Sequence, residues 1–150
     1  GRLILHAFAD RVRARLAGRE QRAIVLDVPL ESGIETFQTT FDLSGNLPRI
    51  APARLGAELR GERGPWRASL GAIRTLRQDD VALGETPTAG YTLVDAQVTW
   101  HRDVARDTTV ELYAKGTNLL DTQARVHTSF LKDFAPLPGR GVAMGLRVFF

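Results

Sequence analysis

From Gly141 to Phe150 the even positions read Val142, Met144, Leu146, Val148 and Phe150, and the odd ones Gly141, Ala143, Gly145, Arg147 and Phe149. One face is wholly apolar and the other carries a charge. A repeat of two is the repeat of a β-strand, whose side chains point alternately to opposite sides. Val110, Leu112 and Ala114 alternate in the same way with Thr109, Glu111, Tyr113 and Lys115. Thr92, Val94, Ala96, Val98 and Trp100 alternate with Leu93, Asp95, Gln97 and Thr99; Trp66, Ala68, Leu70 and Ala72 with Arg67, Ser69 and Gly71; Leu55, Ala57 and Leu59 with Arg54, Glu58 and Arg60. A first strand is expected from Arg2 to Leu16, with faces that the pattern leaves ambiguous. The expectation is an all-β chain, an antiparallel up-and-down meander of about six long strands.

The links between these strands alternate in length. Gly61–Pro65 and His101–Asp107 are short and turn-like. Ala17–Pro48, Asp79–Gly90 and Leu120–Pro138 are long, and Ala23–Val28 within the first of them has the composition of a short strand. Short turns on one edge and long loops on the other are the habit of transmembrane β-barrels. Strands of about ten residues suit a tilted crossing of a bilayer. Trp66, Trp100 and Phe150 all fall at the short-turn end on the apolar face, as an interfacial aromatic girdle requires. Arg54, Glu58, Arg60, Arg67, Asp95, Gln97, Glu111, Lys115 and Arg147 would then line the inside. A soluble sandwich burying the same aromatics remains the alternative.

Composition removes several other classes. The longest apolar run is Ala23–Leu26, far short of a membrane-spanning helix. There is no cysteine, so disulfides, thiolate metal sites and a cysteine nucleophile are excluded. The net charge of +3 comes from scattered residues, which argues against a nucleic-acid face.

Several strings in the last two thirds carry a resemblance. Gly90-Tyr91-Thr92-Leu93-Val94-Asp95-Ala96 resembles a strand of TonB-dependent outer-membrane receptors, and Gly116-Thr117-Asn118-Leu119-Leu120-Asp121 resembles their NLLD motif. Leu47-Pro48-Arg49-Ile50-Ala51-Pro52 and Gly84-Glu85-Thr86-Pro87-Thr88 are similar to segments that precede strands in that family. Residues 124–133, ending His127-Thr128-Ser129-Phe130-Leu131-Lys132-Asp133, and 135–140 look like the last external loop of its metal- or zinc-uptake branch. The chain closes on an aromatic, Phe150. The order is collinear from Leu47 to Phe150.

The resemblance implies that 1–150 is the C-terminal portion of a barrel of about 22 strands, located in the outer membrane of a Gram-negative bacterium. The plug domain and TonB box would lie upstream. The implied function is uptake of a scarce metal ion or metal chelate, without catalysis and without a cofactor. The implied partners are outer-membrane lipid, the TonB system through the plug, the metal or chelate, and the barrel assembly machinery through Phe150. A passive porin or an autotransporter-type barrel is the alternative from within the membrane class.

Three histidines are far apart in sequence. His6 is expected in the wall and His101 in a solvated turn. His127 lies between Asp121 and Asp133 in the last loop, and is the one candidate metal ligand. Ser44, Ser69 and Ser129 lack a nucleophile context. Asp79, Asp80 and Glu85 read as a solvated acidic cluster, and Gly139-Arg140-Gly141 lacks the strand-then-helix setting of a phosphate cradle.

Overall fold

The computed structural model describes residues 1–16, 21–30, 33–42 and 45–150; within 21–42 it describes the side chains of Val25 and Thr36 alone. The chain is all-β. Its strands are β1 (Arg2–Asp10), β2 (Arg15–Leu16), β3 (Gln21–Leu30), β4 (Gly33–Asp42), β5 (Gly45–Asn46), β6 (Arg54–Arg63), β7 (Trp66–Thr75), β8 (Tyr91–Ala105), β9 (Thr108–Thr117) and β10 (Gly141–Phe149). Six of them form one antiparallel sheet in the order β1-β6-β7-β8-β9-β10. This is the expected meander. It is open, because β1 and β10 are each paired along one edge. The long first link carries a hairpin of its own, β3 with β4, and the short pair β2–β5 beneath it.

The register gives each face its chemistry. Leu5, Leu59, Leu70, Ala96, Gly116 and Val142 follow one another across the six strands. One residue along, Ile4, Arg60, Ser69, Gln97, Lys115 and Ala143 form the next row, on the opposite face. All nine charged or polar residues expected to line the inside share that second face. The ambiguous first strand resolves with them: Leu3, Leu5, Ala7 and Ala9 lie on the apolar side, His6 and Asp10 on the polar side. Trp66 and Trp100 are direct cross-strand partners on the apolar face.

That face has no cover. Leu3, Val142 and Met144 are each more than two-thirds exposed, and the buried apolar core of the described residues is Ala124 alone. A sandwich would lay a second sheet on these side chains, and the six strands form one sheet with nothing across it among the described residues. So much uncovered apolar area marks a surface that meets a non-aqueous phase or another part of a larger molecule.

Two expected boundaries move. The first strand ends at Asp10, because its partner β6 begins at Arg54; Arg54 closes the ladder with two hydrogen bonds to the Asp10 carboxylate, at 2.7 and 3.2 Å. The fourth long strand does not stop at Trp100. β8 runs on to Ala105, with a bulge between Asp103 and Ala105, and the turn shrinks to residues 106–107. His101 and Arg102 lie on opposite faces there, so both faces are polar and the period of two fades although the pairing continues. His101 is therefore a strand residue opposite Glu111, not a turn residue. At the other short turn Gly64 has φ of 56° and Pro65 follows. Positive φ at the first central residue and a ring-fixed negative φ at the second is the II′ pattern, which suits a tight hairpin.

Glycines on the polar face let rings lie flat. A methyl group on Gly145 would meet Tyr113 Cζ at 2.5 Å, and one on Gly56 would meet Phe8 Cε1 at 2.5 Å. The Arg147 guanidinium stands 4.6 Å from the Tyr113 ring centre and is paired with Glu111 at 2.8 Å.

Candidate functional site

The long connections gather at the end of the sheet opposite the short turns. Three of them, residues 45–53, 76–90 and 118–140, meet around His127, which is 1% exposed. The 76–90 loop is held first by its own backbone, where Gln78 and Thr88 exchange two hydrogen bonds of 3.0 Å. Gln78 Nε2 then donates to the Ile50 carbonyl at 3.0 Å, which ties in the 45–53 segment.

The 118–140 loop is shaped by the NLLD string. Asn118 has φ of 47° and is buried. Its Nδ2 donates to the carbonyls of Thr122 at 2.9 Å and Pro138 at 3.1 Å, and its Oδ1 accepts from the Thr122 amide at 2.9 Å. Its own amide donates to the Asp95 carboxylate at 2.8 Å. Asp121 turns back and accepts from the Arg140 amide at 2.9 Å. These residues join the end of β9 to the start of β10. Asn and Asp are suited to this role because a short polar side chain tolerates positive φ and satisfies nearby backbone groups.

At the junction Glu85 is the organising acceptor. Its carboxylate takes the amide of Arg49 at 3.0 Å and that of Ala82 at 3.2 Å. Lys132 Nζ lies 3.5 Å from Glu85 Oε1 and donates to the Thr86 carbonyl at 2.6 Å. His127 Nδ1 is 2.7 Å from Thr88 Oγ1 and 3.5 Å from Lys132 Nζ. Two donors face Nδ1, so the ring proton belongs on Nε2. Nε2 lies 3.2 Å from Glu85 Oε1, but off the line of its N–H, so the contact is electrostatic and Nε2 has no hydrogen-bond partner among the described residues. Asp133 accepts from the Thr86 hydroxyl at 3.1 and 3.2 Å, and Arg49 packs its guanidinium 3.0 Å from the centre of the Phe130 ring. A hollow of about 300 Å³ opens beside these groups.

The charges follow from this geometry. Burial pushes Glu85 up, yet the two backbone amides, His127 and Lys132 outweigh it and hold the carboxyl below its usual range. Burial pushes His127 down, Lys132 adds to the effect, and Glu85 and Asp133 oppose it; the net shift is downward. The imidazole is therefore held neutral.

No protein-family model matches the chain. Among solved structures the chain is similar to one described as the copper transporter OprC, with 21% identity and a TM-score of 0.55. The match covers 78% of this chain and 20% of that one, so the chain spans about a fifth of its length. At that identity the likeness is one of fold.

The structure separates the residues that neighbour His127 in sequence. Asp133 enters the cluster through Thr86, whereas Asp121 is engaged at the root of the loop with Arg140. Among the described residues no three of His, Cys, Asp and Glu gather as metal ligands. The Lys132 ammonium already stands where a cation near Glu85 and His127 would sit. His6 and His101 lie on the polar face of the sheet, away from this junction. Glu85, read from sequence as solvated, is the residue whose role sequence reasoning missed. The signal was present in the 84–88 string itself, which supplies both Glu85 and Thr88 to His127. Asp79 does pair at the surface, with Arg77 at 2.7 Å. Ser129 caps a local turn by accepting the Leu131 amide at 3.1 Å, and Ser44 lies outside the described residues.

The polar face of the sheet offers a second set of groups. Glu58 pairs with Arg60 at 2.8 Å and Glu111 with Arg147 at 2.8 Å, on either side of a hollow of about 380 Å³ that Gln97 and Thr99 also line. Such a face presents fixed charges and hydrogen-bonding groups to water or to a polar occupant.

Proposed function

We propose that the chain is the C-terminal wall of an outer-membrane barrel that imports a metal ion or metal chelate in a TonB-dependent manner. The observation that carries this reading is the two-faced, coreless sheet, apolar without cover on one side and charged on the other. Its likeness in fold to part of a copper transporter supports the same reading and makes copper the first metal to test. The motifs that resemble TonB-dependent receptors add the mode of energy supply. In this reading no bond is made or broken. The apolar face meets lipid, the charged face lines the interior around a plug, and the junction at Glu85 braces the external loops. Phe150, one residue beyond β10, is the aromatic that the assembly machinery would recognise.

The test is uptake by cells carrying the whole protein. Deletion of its gene is expected to reduce accumulation of copper, or of a second metal such as zinc, at limiting supply. Loss of TonB is expected to reduce it equally. Uptake that persists without TonB would make the protein a passive pore, and an unchanged metal content would remove the metal reading.

A further inference from the structure

Beyond the outer end of β1 the chain reads Arg11-Val12-Arg13-Ala14-Arg15. These residues line a hollow of about 750 Å³ together with Ile50 and Arg77. Arg15 is held through Nε, which donates to Asn46 Oδ1 at 3.2 Å, while Asn46 is itself tethered to the Val81 carbonyl at 3.3 Å. Arg77 is also held through Nε, by both oxygens of Asp79 at 2.7 and 2.9 Å. The terminal nitrogens of both guanidiniums are thereby positioned, and make no hydrogen bond among the described residues. Arg11 and Arg13 have no hydrogen bond or ion pair among the described residues. Among the described residues that line the hollow, four arginines stand with two carboxylates, Asp79 and Asp80, and Asp79 is already paired with Arg77.

We propose that this hollow binds an anion bearing phosphate groups. The planar fork of arginine matches phosphate oxygens, and several forks converging on one hollow favour a multiply charged group over a single carboxylate. Asp79 and Asp80 occupy the Arg77 side, so the anion sits towards Arg11, Arg13 and Arg15. Two sources supply this chemistry at the outer rim of a membrane protein: the phosphorylated headgroup of a lipid, and a free phosphorylated solute. The lipid source rests on the membrane reading above, and the solute source does not.

The experiment uses the whole protein refolded in neutral detergent, with folding checked by the mobility of unheated samples. It is titrated with diphosphoryl lipid A and, separately, with inorganic pyrophosphate. Wild type is expected to bind at least one of them, with affinity falling as salt rises. Replacing both arginines, R11S/R13S, is expected to weaken that binding about tenfold or more, with R11K/R13K in between. The remote exposed arginine variant R102S serves as the charge control and is expected to bind as wild type does. Binding of the lipid alone identifies a headgroup site, and binding of pyrophosphate alone a solute site that stands even if the membrane reading fails. Absence of binding to both, equal affinity in wild type and R11S/R13S, or an equal loss in R102S overturns the proposal.

Discussion

Replacing Glu85 with Ala is expected to loosen the loop junction while leaving the sheet paired. The carboxylate accepts two backbone amides, those of Arg49 and Ala82, and faces the Lys132 ammonium at 3.5 Å, with both side chains about nine-tenths buried. Each amide deprived of its acceptor costs about 1–3 kcal/mol, and breaking a buried ion pair from one side costs about 3–5 kcal/mol. The two figures describe the same carboxylate and do not add, so about 3 kcal/mol is the working magnitude. At ~1.4 kcal/mol per tenfold, that raises the opening equilibrium of the loops about 100-fold.

Native-state hydrogen exchange reads this directly, since local opening sets the exchange of protected amides. The informative amides are those whose acceptors survive the substitution: Leu137, which donates to Ala124, and the Gln78–Thr88 pair. Their exchange is expected to quicken about 100-fold, with ladder amides of β7 and β8 unchanged. Glu85→Gln retains an acceptor oxygen and loses the charge, so it is expected to fall between. Unchanged protection at Leu137, Gln78 and Thr88 in Glu85→Ala would refute the view that this carboxylate holds the three loops together.

The depressed affinity of His127 for a proton makes the same loops sensitive to acid. Below its ordinary value of 6.5 an opened loop takes up a proton that the closed loop refuses, so protection at Leu137 is expected to fall as pH drops towards the folded-state value, and the slope to vanish in His127→Gln. Glu85, lowered from 4.5, withdraws its own contribution only in still stronger acid, as pH falls through its folded-state value. His127→Ala is expected to leave the metal affinity of the whole protein unchanged in calorimetry; lost affinity with intact loop protection would reinstate the ring as a ligand. Asn118→Ala removes three side-chain hydrogen bonds at a residue with φ of 47°, and is expected to cost the 118–140 loop about 2–4 kcal/mol by exchange. Gly145→Val drives a side chain into the Tyr113 ring and is expected to lower the stability of the whole protein in denaturant titrations by about 1–3 kcal/mol, whereas a neutral effect would show that the ring moves freely.

The sheet was legible in the sequence because alternation is a local property. Leu112 faces one way and Glu111 the other whatever lies around them, and five such segments, with a first strand of ambiguous faces, point to a six-strand meander. Where the environment stops differing between the faces, the signal stops too. Past Trp100 the residues His101, Arg102 and Asp103 are polar on both sides, and the strand continues unseen. The arginine run after Asp10 hid the end of β1 for a related reason: the period of two runs on with its phase reversed, Arg11, Arg13 and Arg15 taking odd positions that are apolar up to Ala9, while the partner strand has already ended. The loop junction was legible only as motifs. Nothing local distinguishes Glu85 from a solvated carboxylate, since its burial depends on Arg49 from 36 residues before it and Lys132 from 47 residues after it. His127 drew attention for its ligand chemistry, yet its neighbours in space are Thr88 and Lys132, and Asp121 is drawn away by Arg140.

The two ends of this molecule are stabilised by different means. Across the sheet the apolar side chains meet their cross-strand neighbours but no second layer among the described residues, and the ladders of hydrogen bonds carry the order. At the loop end nearly every buried polar residue is found: Gln78, Thr88, Asn118, His127 and Lys132. Each of these is bonded to a segment distant in sequence, and Ala124, the one buried apolar residue among those described, lies with them. Loops contact solutes best when they are ordered beforehand, because ordering on contact subtracts from affinity. Phe130 and Phe134, each more than four-fifths exposed, stand on this ordered base and not on a loose strap. Their exposure is therefore paid for by the polar junction beneath them, and a substitution at Glu85 is expected to reach these rings before it reaches the sheet.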